Sequence, residues 1–339
     1  WILKVKILSE IAYTIIKNDN SIIEFNVAEE LISSIIIENE RKKKISSITV
    51  HEMIDEIRNS GLIIFDGEKL FFWHRIFLNY FASISLAIKI DKNIDLINTY
   101  KNKIIWESSI IGCAFFFKYS TELIIRLKEN VWLASFCIVE SQRIDEHVVN
   151  EFIDILKERC SSKIINLRQR AFWYLQKMGS NVNIEIFYYL FHHNQYVDIK
   201  TQAIEIIAKS GSTEAKNLVL ENLKWDEYAG LFRRPSQTSI AYALANFGEQ
   251  EIILILNIWK QKYDIFTSDE CKNVFLRLAK QGKINQTVKD MLLEYYCDVY
   301  KDSDKSHKTS DVAEVLIALN DESIVHKIIS LFKIDTNKT

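Results

Sequence analysis

The sequence predicts a mainly α-helical protein in two parts: a head in which a small β-hairpin sits between helices, and a longer tail of stacked helix pairs. Three observations predict it. Residues 60–82 read S-G-L-I-I-F-D-G-E-K-L-F-F-W-H-R-I-F-L-N-Y-F-A, where an extended, hairpin-like pattern gives way to a spacing of three and four. Proline occurs once and glycine eight times in 339 residues, a scarcity that suits helices because both residues disfavour helix interiors. Four of those glycines, Gly179, Gly211, Gly248 and Gly282, are separated by 32, 37 and 34 residues, and Asn320 continues the series 38 later.

In the head, residues 1–100, the apolar runs 62–65 and 69–73 flank Asp66-Gly67, the dipeptide suited to the positive φ angles of a type I′ hairpin turn. Ile76, Phe77, Tyr80, Phe81, Ile84 and Ala87 then fall on one face of a helix, with His74 and Arg75 at the junction. Upstream, Thr49-Val50-His51-Glu52 has the spacing of a capping box, and Gly61 suits the left-handed residue that closes the helix it starts. Ile2, Leu3, Val5, Leu8, Ile11, Ala12 and Ile15 predict a helix from the first residues, and 27–37 another. Helix, hairpin, helix is the order of a winged-helix domain.

In the tail, residues 101–339, each regularly placed Gly or Asn ends a similar segment: A-F-W-Y-L-Q-K-M-G, A-I-E-I-I-A-K-S-G, I-A-Y-A-L-A-N-F-G, V-F-L-R-L-A-K-Q-G and V-A-E-V-L-I-A-L-N. Four residues before the stop stand Leu175, Ile207, Leu244, Leu278 and Leu316; eight before it stand Ala171, Ala203, Ile240, Val274 and Val312. Those two positions lie about 40° apart on a helix and define a buried stripe. The stop itself calls for the left-handed conformation that glycine and asparagine tolerate. Partner helices are predicted at 182–191, 214–223, 251–259 and 288–296, and a weaker copy with Leu133 and Cys137 in the stripe ends near Ser141, after an apolar helix at 106–117. Helix pairs at this period, without tetratricopeptide or ankyrin signatures, read as a HEAT-like α-solenoid. On the opposite face Arg170, Trp173, Lys177, Tyr242 and Asn246 offer a mixed polar surface with two aromatics, and these are the candidate partner-binding residues, Trp173 and Tyr242 first.

Composition excludes several classes. A formal charge of −2 argues against a nucleic-acid partner, and the helix at 49–59 that would read DNA carries Glu52, Asp55 and Glu56 against Arg58. Arg41-Lys42-Lys43-Lys44 reads as a solvated helix end, Arg233-Arg234-Pro235 as a turn, and 301–311 as a polar loop. Five scattered cysteines fit a reducing compartment and no zinc site; adjacent His192-His193 point about 100° apart on a helix and have no third ligand nearby. The longest apolar run, 110–117, is too short to span a bilayer, so a cytoplasmic protein with no membrane partner is expected. Catalytic groupings and metal ligands are not recoverable, and a chain opening at Trp1 in mid-helix reads as a piece of a longer protein.

Residues 60–87, S-G-L followed by a hairpin and then F-x-H-R-x-F-x-x-Y-F-A, resemble the winged-helix segment of NACHT-type signal-transducing NTPases of the STAND class. In that family an ATPase module precedes the winged helix and a repeat sensor follows it. The resemblance implies that His74 reaches the phosphates of bound ADP and helps hold a closed, inactive state, with Asn79 standing where the family commonly has glutamate. It implies ADP or ATP with magnesium in the full-length protein, bound by its own NACHT domain. It also implies a protein trigger, homo-oligomerisation on activation, and a role in antiphage or innate-immune-like defence signalling. The chain has no G-x-x-x-x-G-K-[ST] phosphate loop, so it is read as sensor and autoinhibitory contact, not as an enzyme. A stand-alone HEAT-repeat scaffold for protein or nucleic-acid partners is the alternative.

Overall fold

A computed structural model describes residues 1–41, 48–117, 120–223, 237–260, 268–301 and 306–335. The protein is mainly helical with one small three-stranded antiparallel sheet. It divides into two compact units, Trp1–Leu156 with Tyr174–Asn181, and Lys157–Trp173 with Val182–Thr339, a division that does not coincide with the 1–100 and 101–339 parts. Lys42, Lys43, Lys44 and Arg233-Arg234-Pro235 lie outside the described residues. Among the described residues no helix is long and apolar enough to cross a membrane.

The first unit contains helices α1 (Ile2–Lys17), α2 (Phe25–Arg41), α3 (Val50–Arg58), α4 (Arg75–Lys92), α5 (Glu107–Phe116), α6 (Ser120–Arg126), α7 (Val131–Glu140) and most of α8 (Glu146–Arg159). Helix α4 is its centre, packed on α1 and α5, and α5 packs in turn on α7. The contact face of α1 is Leu3, Ile7, Leu8, Ile11, Ala12, Ile15 and Ile16, all buried, whereas Ile2 and Val5 are not. Leu133 and Cys137 are buried on α7 as expected, but Ser141 beyond it is extended, with no left-handed stop. Trp106 is fully buried and stacks on Tyr100 at 4.1 Å, and the Tyr13 and Tyr100 hydroxyls share a 2.7 Å hydrogen bond. Helices α4 and α5 approach so closely at Gly112 that an added β-carbon would stand 2.8 Å from Ser83 Oγ.

The capping box forms as expected. Thr49 Oγ1 accepts the Glu52 N–H at 3.2 Å, and Glu52 accepts the Thr49 N–H at 2.8 Å. Helix α3 closes through Gly61 at φ 69° into strand β2 (Ile63–Asp66) and then β3 (Lys69–Phe72). The turn differs from the expected one. Asp66 pairs with Lys69, so the two-residue loop is Gly67-Glu68, with Asp66 still in the strand. Gly67 has φ 60° and Glu68 has no positive φ, the pattern of a II′ turn with glycine at its first central position. A strand that the sequence did not betray, β1 (Ile23–Glu24), pairs antiparallel with Leu70 and Lys69, giving the order β1-β3-β2.

The second unit takes up α9 (Ile165–Lys177, to Trp173), α10 (Ile184–His193), α11 (Val197–Lys209), α12 (Thr213–Leu223), α13 (Gln237–Leu244), α14 (Glu249–Lys260), α15 (Ser268–Lys280), α16 (Gln286–Lys301), α17 (Ser306–Ala318) and α18 (Glu322–Asp335). Helix α11 packs on α13, α13 on α15, and α15 on α17, so the helices ending at Gly211, Gly248, Gly282 and Asn320 are neighbours in chain order. The stripe residues expected on these helices and on α9, from Ala171 and Leu175 to Val312 and Leu316, are all fully buried. Gly179, Gly211, Gly282 and Asn320 have φ of 55°, 70°, 66° and 49°, the left-handed stop; Gly248 departs from it at 136°. The polar stretch 301–311 is not one loop: Lys301 ends α16, and α17 already begins at Ser306.

Candidate functional site

The strand-to-helix junction is built by alternation of backbone states. The Trp73 N–H donates to Leu62 O at 3.0 Å, prolonging the ladder, and His74 at φ −141°, ψ 143° is the N-cap of α4. The Nδ1 atom of its exposed ring accepts the Ile76 N–H at 3.1 Å. With Nδ1 accepting, Nε2 is left as the ring's donor nitrogen, and it has no protein partner among the described residues. His74 thus satisfies the helix start with one nitrogen and holds the other as a donor toward solvent. For the implied ADP, that N–H is the one contact this chain's histidine fits; for magnesium, the described residues contain no cluster of three His, Cys, Asp or Glu side chains.

Around the junction, Trp73 is 64% exposed and stacks on Phe77 at 6.4 Å. Arg75, the first residue of α4, makes no ion pair or hydrogen bond to the described residues. One helical turn on, Asn79 Oδ1 is buried without a hydrogen-bond partner. An orphaned buried acceptor of this kind costs about 1–3 kcal/mol.

The candidate partner face divides. On α9, Arg170 and Lys177 are exposed and Trp173 is 39% exposed. On α13, Tyr242 is not the exposed anchor expected: it is 2% exposed. Its hydroxyl donates to Gln281 Oε1 at 2.7 Å, and the Arg277 guanidinium covers its ring with the carbon 3.5 Å from the centroid. Asn246 is also engaged, donating to Tyr242 O at 3.0 Å and accepting from Lys283 Nζ at 2.8 Å. The spacing that put Tyr242 opposite the stripe was correct for one helix in isolation. Side chains from α15 and from the turn after it roof the position over.

One of those side chains, Arg277, belongs to a set of ion pairs that link segments of the second unit. Arg168 Nε holds Asp198 at 2.9 Å, Lys272 holds Asp311 at 3.0 Å, and Lys289 holds Asp321 at 2.7 Å. Lys216 pairs with Glu251, and Lys260 with Glu294 at 3.5 Å. Their sequence separations, 30, 39, 32, 35 and 34, are each about one repeat. Opposite charges at the repeat period are the signal that sequence reasoning left unused. Arg277 and Glu205 are the exception, 72 residues or two repeats apart.

No protein-family model matches the chain, and no curated protein or solved structure matches it.

Proposed function

We infer that this chain is the regulatory and ligand-sensing part of a NACHT-type STAND signalling ATPase, a winged-helix module followed by a HEAT-like helical array. The observation that carries the reading is the junction: the hairpin β2–β3 feeds straight into α4, and His74 at the cap keeps Nε2–H available to an anion. Further support comes from the chain-ordered packing of α11, α13, α15 and α17 with left-handed stops at Gly211, Gly282 and Asn320. ATP or ADP with magnesium is bound by a NACHT domain that these residues do not include. The chain itself is a sensor and not a catalyst.

In this reading a protein trigger docks on the helical array through the face bearing Trp173, Arg170 and Lys177. It binds the open state more tightly than the closed, ADP-bound one, and that difference in affinity shifts the equilibrium. The opened protein then oligomerises and signals in cytoplasmic defence. The test begins with the reading frame upstream of Trp1: a G-x-x-x-x-G-K-[ST] motif is expected. In the protein so defined, His74→Ala should raise basal signalling and Trp173→Ala should lower the response to the trigger with helicity unchanged. A frame opening next to Trp1 with no such motif, or a full response from both variants, overturns the reading.

A further inference from the structure

A cavity of about 460 Å³ lies within the first unit, between the end of α1, the turn before β1, strand β3 and the first turns of α4. Its wall is apolar over Ile16, Phe72 and Leu78 and polar at Arg75, Asn79, Asp19, Asn20 and Ser21. A volume of this size is in the range of small-molecule sites, which are mostly apolar with a few placed polar groups.

Three features of the lining are unspent in the fold. The Arg75 guanidinium has no anionic or hydrogen-bonding partner among the described residues. Asn79, four residues on and therefore on the same helix face, presents a buried Oδ1 with no donor. Asp19, in the turn that forms another part of the wall, sits at φ 53°, in the left-handed region that Asp and Asn enter more readily than other side chains. Its carboxylate has only a 3.9 Å contact with Lys103.

A ligand that completes all three carries a carboxylate for the Arg75 fork, an N–H donor beside it for Asn79 Oδ1, and an apolar body for Ile16, Phe72 and Leu78. With one guanidinium and one carboxylate in the same lining, a monoanion is matched and a multiply charged phosphate is not. We propose that this cavity binds an apolar α-amino carboxylate group, either a free apolar amino acid or the C-terminal residue of a peptide. In the free amino acid the ammonium group also answers Asp19; in a peptide end the last amide N–H serves Asn79 alone. The site is separate from the outward Nε2 of His74 and does not depend on the signalling role inferred above.

Calorimetric titration of the full chain with L-leucine, N-acetyl-L-leucine, L-leucinamide and inorganic phosphate tests it. Binding of L-leucine alone identifies the free amino acid; binding of N-acetyl-L-leucine, alone or as well, identifies the peptide end as a ligand. In either case L-leucinamide and phosphate should be silent. Arg75→Gln, at an exposed position that leaves the core intact, should weaken the bound carboxylate about tenfold or more, and Asn79→Leu should do likewise by removing the acceptor. Circular dichroism of both variants controls for folding. Failure of both carboxylates to bind, phosphate binding in their place, or undiminished binding to a folded Arg75→Gln overturns the proposal.

Discussion

The guanidinium of Arg277 grips the carboxylate of Glu205, Nη1 to Oε1 at 3.0 Å and Nη2 to Oε2 at 2.9 Å, and it does so across the ring of Tyr242. One side chain on α15 thus touches the two helices that precede it in the stack, α13 beneath and α11 beyond. Partial burial works against the arginine's charge, but the Glu205 carboxylate outweighs it and raises the guanidinium's affinity for its proton.

Arg277→Met should lower the stability of the second unit by about 1–2 kcal/mol, combining a partly exposed two-pronged ion pair with a cation–π contact. Glu205→Gln should cost less, because the stack on Tyr242 survives. Urea denaturation of the two single variants and the double variant separates the contributions. Equal losses from both single variants would mean that stacking over the ring adds nothing.

Gly211 offers a cleaner backbone test. At φ 70° it closes α11, and nothing lies within 4 Å of where a β-carbon would stand. Gly211→Ala therefore carries conformational strain without a clash and should cost about 1–2 kcal/mol. Gly211→Asn should cost less, since Asn320 fills the same role at φ 49°. Thermal melts that rank alanine at or above asparagine would contradict this account of the stops.

Asp321 caps α18 and is held by Lys289 and then Ser323, which pull its carboxyl down to about 2. The sign follows from linkage: a carboxyl lowered on folding contributes stability that is complete above its unfolded value of about 4 and is lost as the pH falls through its folded value. Asp321→Asn keeps an N-cap oxygen but not the charge. Its urea midpoint should fall below that of the parent at pH 6, and the gap should close by about pH 2. A gap independent of pH would assign the effect to capping alone.

Among the five thiols, Cys113, Cys137 and Cys160 are buried, and burial raises all three, Cys160 to about 12. Cys271 is buried as well, whereas Cys297 is partly exposed. Because the thiolate is the reactive form, brief iodoacetamide treatment of the folded protein near pH 8 should label Cys297 first, by peptide mass spectrometry. Early labelling of Cys137 would mean that α7 opens far more readily than its packing suggests.

The helix-stripe burial and the stops were legible because both arise within one helix: a period of 3.6 buries Leu175 and Ile207 alike, and a left-handed terminus tolerates few residues. The capping box at Thr49 is equally local. What escaped was set by distant partners. Strand β1 is two residues long and has no period of its own; it exists because Leu70 and Lys69 lie beside it. The one-residue shift of the hairpin loop is a matter of register, which Asp66-Gly67 leaves open. Tyr242 reads as outward on α13, and only side chains of α15 and of the turn after it decide that it is covered. The cavity beside Arg75 likewise draws its lining from segments as distant as Ile16 and Ile105.

The pairing of β1 with β3 also bears on mechanics. A hairpin clasped on one side by the α1–α2 connection cannot swing as a separate flap; its central strand is shared property. Detaching 69–72 would tear Ile23 and Glu24 loose and free the Phe25 N–H from Glu68 O, a 2.7 Å bond. Amide protons in the hairpin should therefore exchange in step with those at the start of α2, making a small flourish of sheet the rivet between two stretches of chain more than forty residues apart.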